Sequence, residues 1–185
     1  MKHTKKLLSL LLVLCLVLSL SCTAFAAGEA KPLDGKTVIL HSNDVHGAID
    51  LYAAMASLKA DYEAQGAEVI LADAGDYSQG TVYVSVNKGA DAVTMMNATG
   101  YDVATIGNHE IGYGLAHLLF LEKCADFPII NANLHIKSNG RRMFRPFWIA
   151  HIDDMKILFI GIITEEVLAA TKTCLLYTSP SPRDS

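Results

Sequence analysis

Three polar clusters in the chain carry residue types that metal-dependent chemistry uses. They are Asp44-x-His46, Asp76, and the adjacent pair Asn108 and His109. The side chains of Asp44 and His46 lie two positions apart, so in an extended stretch they project to the same side and can bind one ion. A carboxylate such as that of Asp76 can bridge two ions, and the amide oxygen of Asn108 can bind the second. Oxygen and imidazole ligands without thiolate suit zinc, manganese, iron or a similar divalent ion, so the metal's identity stays open.

The spacing of these clusters predicts that they meet in space. Asp76 follows Asp44 by 32 residues, and Asn108 follows Asp76 by 32 residues. A βαβ unit takes roughly 30 residues or more, so each interval returns the chain to the same edge of a sheet. In open α/β sheets, ligands bind outside the carboxyl ends of the strands. Paired ions roughly 3.5–4 Å apart at such a place can activate water and hold the phosphoryl oxygens of a substrate.

Alternating apolar segments supply the strands and helices that would position the clusters. Strands are predicted at 37–41, 68–72, 101–106 and 128–130, and 147–150 with 156–163 is predicted to form a hairpin or an adjacent pair. Three segments carry apolar residues at helical spacing and are predicted to be helices. The residues are Leu51, Met55, Leu58 and Tyr62 in the first segment, Val93 and Met96 within 90–99 in the second, and Leu115, Leu118, Leu119 and Leu121 in the third. Alternating βα units predict an α/β fold with a largely parallel sheet and no dividing linker.

The amino terminus has the pattern of a secretory signal peptide over residues 1–26. Lysines precede an apolar run of 14 residues, Leu7 to Leu20, and Ala24-Phe25-Ala26 supplies a small-x-small cleavage site. A membrane span needs roughly 20 apolar residues, so an uncleaved anchor is the weaker alternative, as is a lipid anchor at Cys22. The predicted location is therefore periplasmic, cell-surface or extracellular, with no membrane span after signal cleavage.

The exported part is acidic, which limits its partners. Removing residues 1–26 takes away three of the 15 Lys and Arg residues and none of the 19 Asp and Glu residues, leaving a formal net charge of 12 − 19 = −7. Such a protein is a poor partner for nucleic-acid polymers or anionic membrane surfaces. The body keeps Cys124 and Cys174, too few for a disulfide scaffold, so a packed core must supply stability. The sequence does not indicate a protein partner.

The carboxyl terminus departs from the α/β pattern. Pro180 and Pro182 stand among serines and cannot continue a helix or a central strand. Residues 174–185 are therefore predicted to be either a disordered tail or non-native sequence after a reading frame that ends near Thr173. The second alternative is preferred.

The clusters and their neighbours resemble a known family. The segments 40–47 (LHSNDVHG), 75–80 (GDYSQG) and 107–110 (GNHE) are similar to the three successive signatures of the calcineurin-like metallophosphoesterases. More specifically they resemble the secreted 5′-nucleotidase and 2′,3′-cyclic-nucleotide phosphodiesterase branch. Segments 131–134 (NANL) and 161–164 (GIIT) also resemble that branch, so the likeness covers roughly residues 36–173.

The resemblance implies a fold, an activity and residue roles. The fold is the α/β four-layer αββα metallophosphoesterase sandwich, of which residues 27–173 show the first half. The implied activity is hydrolysis of nucleotides or other small phosphate esters with two divalent metal ions. Asp44 and His46 bind the first ion, Asp76 bridges both and Asn108 binds the second. His109 is the catalytic histidine, which stabilises the transferring phosphoryl group or helps the leaving oxygen depart.

Two departures from the family pattern leave alternatives open. The family's Gly-Asn-His-Glu motif continues with an aromatic residue and an aspartate that orients the histidine, whereas this chain has Ile111 and Gly112, which implies weaker or differently tuned activity. Later family histidines, including a Gly-His-x-His motif, have no counterpart after His109.

The parent protein is thus expected to be a 5′-nucleotidase or, alternatively, a hydrolase of cyclic nucleotides, nucleotide sugars or another phosphate or sulfur ester. The chain as written is alternatively a catalytically incompetent fragment. Gln79 either reaches the site edge or lies exposed in its loop.

Overall fold

The structure is a computed structural model that describes Lys6, residues 30–167 and residues 176–178. The predicted signal peptide, apart from Lys6, and most of the predicted tail lie outside the described residues. Within the described part, no helix is both long enough and apolar enough to cross a membrane.

Seven strands and five helices alternate along the described residues. The strands are β1 (Thr37–Ser42), β2 (Glu68–Asp73), β3 (Val103–Ala104), β4 (Leu134–Ile136), β5 (Phe147–Ile152), β6 (Met155–Ile160) and β7 (Leu176–Thr178). The helices are α1 (Ile49–Ala64), α2 (Val82–Ser85), α3 (Ala90–Thr99), α4 (Asn108–Gly112) and α5 (Leu115–Cys124). The predicted α/β fold class is confirmed.

A parallel sheet with the order β1-β2-β3 is the centre of the fold. Leu40 lies opposite Leu71 in the register, and Ser42 lies opposite Asp73. Leu71 is fully buried, whereas Ile39, one position away from Leu40, is 48% exposed, because successive side chains in a strand point to opposite faces. All three strands end at one edge, where the predicted clusters begin.

The third and fourth strands differ from the prediction. The strand predicted at 101–106 shortens to β3, Val103–Ala104. In place of a strand at 128–130, Ile129 makes an isolated parallel bridge to Ala104, and Ile130 makes another to Arg145. Buried Ile129 and Ile130 still supply core side chains, but the pairing on either side is too short for a regular strand. The chain thus continues the sheet through single bridges.

The hairpin prediction is confirmed, and the chain adds a small sheet beside it. β5 and β6 pair antiparallel from Phe147 opposite Ile160 to Ile152 opposite Met155. β4 pairs antiparallel with β7, so Leu176–Thr178, within the segment predicted as a tail, forms a strand in which Leu176 is buried. Whether residues 174–185 are native stays a prediction.

The helices pack on the sheet with faces that partly differ from the predicted stripes. In α3, Val93 and Met96 are buried as predicted, and Gly100 follows as a left-handed C-cap. In α5, Leu118 and Leu121 are buried, but Leu119 is exposed. The predicted stripe of α1 is right for Met55, which is buried, but wrong for Leu51 and Leu58, which are exposed, while Tyr52 outside the stripe is buried. The buried face of α1 is therefore centred on a different side of the helix from Leu51 and Leu58.

Candidate metal centre

The loops that follow β1 and β2 are joined by backbone hydrogen bonds at the carboxyl edge of the sheet. The N–H of Asp44 donates to the carbonyl oxygen of Gly75 at 3.1 Å, and the N–H of His46 donates to that of Asp76 at 3.2 Å. A third bond runs from the N–H of Thr81 to the carbonyl oxygen of His46 at 2.9 Å. These bonds hold the Asp44-x-His46 segment beside Asp76 without using either residue's side chain.

Three of the candidate side chains come together at this edge. Ligand atoms of His46, Asp76 and His109 all lie within 4.8 Å of one another, and each residue is half-buried. The rings of His46 and His109 meet edge to face with centroids 4.7 Å apart. Asp44 Oδ1 lies 3.4 Å from His46 Nε2, which brings a fourth donor residue to the same place. The spacing argument thus predicted residues that the structure does place together.

The remaining predicted residues relate less directly to this cluster. Asn108 is the first residue of α4 and the neighbour of His109, so it lies at the same edge. His109 belongs to the geometric cluster, although the resemblance gives it a catalytic rather than a metal-binding role. Among the later histidines that the structure describes, His117 Nε2 donates to the carbonyl oxygen of Lys88 at 2.6 Å, and His135 stacks on Tyr177. The division of roles stays a prediction.

The backbone at the candidate ligands is unusual. Asp44, His46 and Asp76 have φ angles of 53°, 49° and 62°, in the left-handed region that non-glycine residues seldom enter. Among the residues described, Lys88 and Asp153 are the other non-glycine residues with positive φ. Such conformations cost about 1–3 kcal/mol each and concentrate at functional sites. Three of the four clustered residues therefore have a strained backbone conformation of the kind found at functional sites.

A buried carboxylate, that of Glu110, fixes the two loops that carry Asp76 and His109. It is 0% exposed and accepts four backbone N–H bonds. Its Oε2 accepts from Gly107 at 2.7 Å and Asp76 at 2.9 Å, and its Oε1 accepts from Tyr77 at 3.0 Å and Ser78 at 2.9 Å. Sequence reasoning gave Glu110 no role. Half of a signal existed, because Glu110 stands at the third helical position, where a capping-box glutamate bonds the N-cap N–H, although Gly107 lacks the N-cap side chain that completes the pattern.

Glycine lets the same two loops touch. A Cβ on Gly75, which has φ of +106°, would lie 2.5 Å from the backbone nitrogen of Gly107 and 3.0 Å from its Cα. Any larger residue at Gly75 would push the loops apart, and its positive φ would add strain. The Asp76 carboxylate also accepts the backbone N–H of His109, through Oδ1 at 3.0 Å.

The donor set fits a divalent cation. Imidazole nitrogens from His46 and His109 and carboxylate oxygens from Asp44 and Asp76 are ligands that zinc, manganese or iron accept. His46 Nδ1 bonds the carbonyl oxygen of Gln79 at 2.8 Å, which leaves Nε2 for the site, and such outer bonds are usual for metal-binding histidines. Gln79 thus reaches the site edge rather than lying exposed, resolving the alternative that its sequence left open.

Below the site, a buried network closes the carboxyl ends of β1 and β2. Ser42 Oγ donates to Asp73 Oδ2 at 2.5 Å and shares a 2.7 Å hydrogen bond with the hydroxyl of Tyr101. The N–H of Gly75 donates to Asp73 Oδ1 at 2.8 Å. Burial raises the pKa of the Asp73 carboxyl to about 7, and the carboxylates of Glu110 and Asp76 act in the same direction against those hydrogen bonds.

This raised pKa predicts a pH-dependent stability for the protein kept metal-free with a chelator. Between pH 4 and 7 the native state keeps the Asp73 proton that the unfolded state, with a pKa near 3.8, has released. The free energy of unfolding should therefore fall as pH rises through this window, by roughly 4 kcal/mol at most. Urea unfolding midpoints should show a flatter profile for Asp73→Asn, while exposed Asp154→Asn should keep the wild-type slope. Equal slopes in wild type and Asp73→Asn would contradict the assignment.

Comparisons with known proteins agree with this fold. A scan of the chain against family models matches none. The calcineurin-like phosphoesterase YfkN from Bacillus subtilis matches with a TM-score of 0.63 and 27% identity over 76% of this chain and 53% of that one. NAD nucleotidase from Haemophilus influenzae shares the fold, with a TM-score of 0.66 at 23% identity over 77% of this chain and 33% of that one. The fold is therefore that of the calcineurin-like phosphoesterases.

Relatives in sequence narrow this class to one branch. A snake venom 5′-nucleotidase from Gloydius brevicauda is 38% identical over 149 residues, 69% of this chain and 25% of the relative. The protein UshA from Escherichia coli strain K12 is 33% identical over 155 residues, 78% of this chain and 28% of UshA. The chain belongs to the 5′-nucleotidase branch of the calcineurin-like metallophosphoesterases, and it spans about a quarter of the length of these relatives.

Proposed function

We propose that the protein, in its full length, hydrolyses nucleotide phosphate esters with the help of two divalent metal ions, as a 5′-nucleotidase. The observation that carries this proposal is the convergence of Asp44, His46, Asp76 and His109 from three loops at one sheet edge. Relatives named 5′-nucleotidase, from Gloydius brevicauda and Vibrio cholerae, support nucleotides as the substrate class.

Each candidate residue has a proposed task. Asp44 and His46 would hold one ion, Asp76 would provide carboxylate oxygens to both, and Asn108 would contribute its amide oxygen to the second. The ions, when bound, supply positive charge that polarises a phosphoryl oxygen and activates water. His109 acts on the substrate itself, by stabilising the transferring phosphoryl group or by giving a proton to the leaving oxygen. A positioned acid of this kind contributes roughly 10²–10⁴-fold in rate.

Metal charge also explains how an acidic protein receives an anion. The chain has 19 acidic residues against 15 Lys and Arg residues, which by itself repels phosphate. Carboxylates at the site attract divalent cations, and these cations in turn attract the substrate. Export through a signal peptide over residues 1–26 is part of the proposal and would place the enzyme where extracellular or periplasmic nucleotides occur.

The function is tested by phosphate release from AMP, 2′,3′-cyclic AMP and a nucleotide sugar. The full-length protein is stripped with a chelator and then reloaded with manganese or zinc. We expect AMP hydrolysis that disappears with the chelator and returns with the metal. Preferential release from the cyclic nucleotide or the nucleotide sugar would favour the phosphodiesterase alternative. A metal-loaded full-length protein that cleaves none of the three would refute the proposal.

A further inference from the structure

Gln79 contacts both histidines of the candidate metal centre through different parts of one residue. Its backbone carbonyl oxygen lies 2.8 Å from Nδ1 of His46, and its side-chain Oε1 lies 2.8 Å from Nδ1 of His109. A carbonyl oxygen accepts hydrogen bonds and cannot donate them, so Nδ1 carries the proton in both rings. In each histidine, Nε2 is then the nitrogen that remains for the site.

The side-chain half of this arrangement depends on an empty space at Gly112. A Cβ built on Gly112 would lie 2.5 Å from Nε2 of Gln79, too close for any real side chain unless the amide moved. Gly112 has no positive φ, so its backbone does not itself demand glycine. The missing side chain is what allows the Gln79 amide to lie against His109.

This space coincides with the departure from the family pattern. Gly112 occupies the position where the resemblance leads one to expect an aspartate that orients the histidine. The Gln79 amide bonds a ring nitrogen of His109 from the loop after β2, whereas such an aspartate would stand in α4. An amide oxygen is a neutral acceptor, so it aligns the ring without adding a negative charge beside it.

We propose that Gln79 is the positioning residue of His109, and that Gly112 is small so that the Gln79 amide can take this place. The proposal rests on the proposed function for its effect on turnover, since it supposes that His109 Nε2 meets the substrate. The contact of Gln79 with His46 uses only the backbone, so a substitution at Gln79 tests the contact with His109 independently of the contact with His46. His46 keeps its bond while His109 loses its partner.

Four variants of the full-length protein and one control test the kinetic consequence. Gln79→Ala removes the amide, and Gly112→Ala displaces it without deleting it. Each should lower kcat by up to about 10²-fold with KM and bound metal nearly unchanged, because a positioned acid contributes roughly 10²–10⁴-fold and the change misaligns it without removing it. The double variant should be no slower than Gln79→Ala, because both changes remove one interaction. In Gln79→Ala with Gly112→Asp, the new carboxylate enters the vacated space and should restore much of kcat. Exposed Gln65→Ala is the matched control and should behave as wild type.

A spectroscopic measurement decides the proposal independently of activity. Long-range ¹H–¹⁵N correlation spectra report which ring nitrogen of His109 carries the proton. We expect protonated Nδ1 in wild type and Gln65→Ala, and loss of that preference in Gln79→Ala and Gly112→Ala. Unchanged His109 signals in both of these variants would overturn the proposal even in an active enzyme, as would wild-type kcat in Gln79→Ala. The expected signals in a protein without phosphoesterase activity would support the positioning role and refute the proposed function alone.

Discussion

Asp76→Asn is expected to abolish both metal binding and phosphate release. Asparagine tolerates the left-handed backbone of this position, where φ is 62°, and it keeps an oxygen to accept the His109 N–H. It removes the negative charge and one of the two ligand oxygens, so the ions would lose the carboxylate that the proposal assigns to both of them. Metal polarisation supplies several kcal/mol of transition-state stabilisation. Turnover should therefore fall by at least about 10³-fold, measured beside metal content by elemental analysis.

Two further variants serve as controls for this prediction. Asp153→Asn changes an aspartate with the same backbone region, φ 48°, at the turn between β5 and β6, and should alter neither metal content nor turnover. His109→Ala should lower turnover while metal content stays nearly unchanged. If His109→Ala instead empties the site and turnover falls only in proportion, His109 is a ligand and the division of roles is wrong. Full metal content in Asp76→Asn would exclude the bridging role.

Glu110→Ala is expected to destabilise the protein by about 3–5 kcal/mol, the second large effect. The substitution leaves four backbone donors without their acceptor, and each buried unsatisfied donor costs about 1–3 kcal/mol. The total lies below the simple sum because partly buried donors can reach water. Urea unfolding followed by circular dichroism measures the loss. Since Glu110 holds the Asp76 loop, metal affinity should fall as well.

An exposed glutamate and an isosteric change control for this prediction. Glu63→Ala on the outer side of α1 should leave the unfolding midpoint within experimental error of wild type. Glu110→Gln preserves the volume but replaces one acceptor oxygen with a donor that faces backbone N–H groups. It should therefore lose stability too. A Glu110→Ala protein as stable as Glu63→Ala would show that water replaces the carboxylate at little cost.

The candidate site was more predictable than its surroundings, for a geometric reason. Parallel strands end at one edge, so regular spacing was enough to bring Asp44, His46, Asp76 and His109 together. Spacing does not reveal backbone conformation, so the left-handed φ angles of Asp44, His46 and Asp76 could be found only from the structure. The α/β class followed from the same periodicity, but strand lengths did not, because β3 pairs over two residues only.

The error in α1 shows where apolar patterns fail. The predicted stripe joined Met55 to two leucines, but the helix buries Tyr52 beside Met55 and leaves the leucines exposed. Lys59 lies on that side as well, and its Nζ reaches the carbonyl oxygen of Gly100 at 2.5 Å and Asp102 Oδ2 at 3.0 Å. A lysine that buries its stem and pairs its charge contributes to an interface while counting as polar in any hydropathy pattern. Exposed leucines are tolerated because folded surfaces are largely apolar.

The role of Glu110 was not predicted, and that of Gln79 was left between two alternatives, because the partners of both residues are distant in sequence. Gln79 bonds a ring 30 residues away, and Glu110 bonds backbone groups 32 to 34 residues before it as well as Gly107. Motif reasoning assigns chemistry to side chains that meet a ligand. It does not assign the residues that hold those side chains, since many residue types can supply a carbonyl or carboxylate oxygen.

The backbone contact between Gly75 and Gly107 determines how an ion is bound. The two loops touch through main-chain atoms, so their separation does not depend on a ligand drawing them together. A site assembled from mobile loops would lose about 1–2 kcal/mol of affinity for each residue that binding had to order. This site is preorganised, which removes that entropic penalty. We therefore expect affinity to reflect the donors and the dehydration of the ion, and exchange of one divalent ion for another to leave the loops in place.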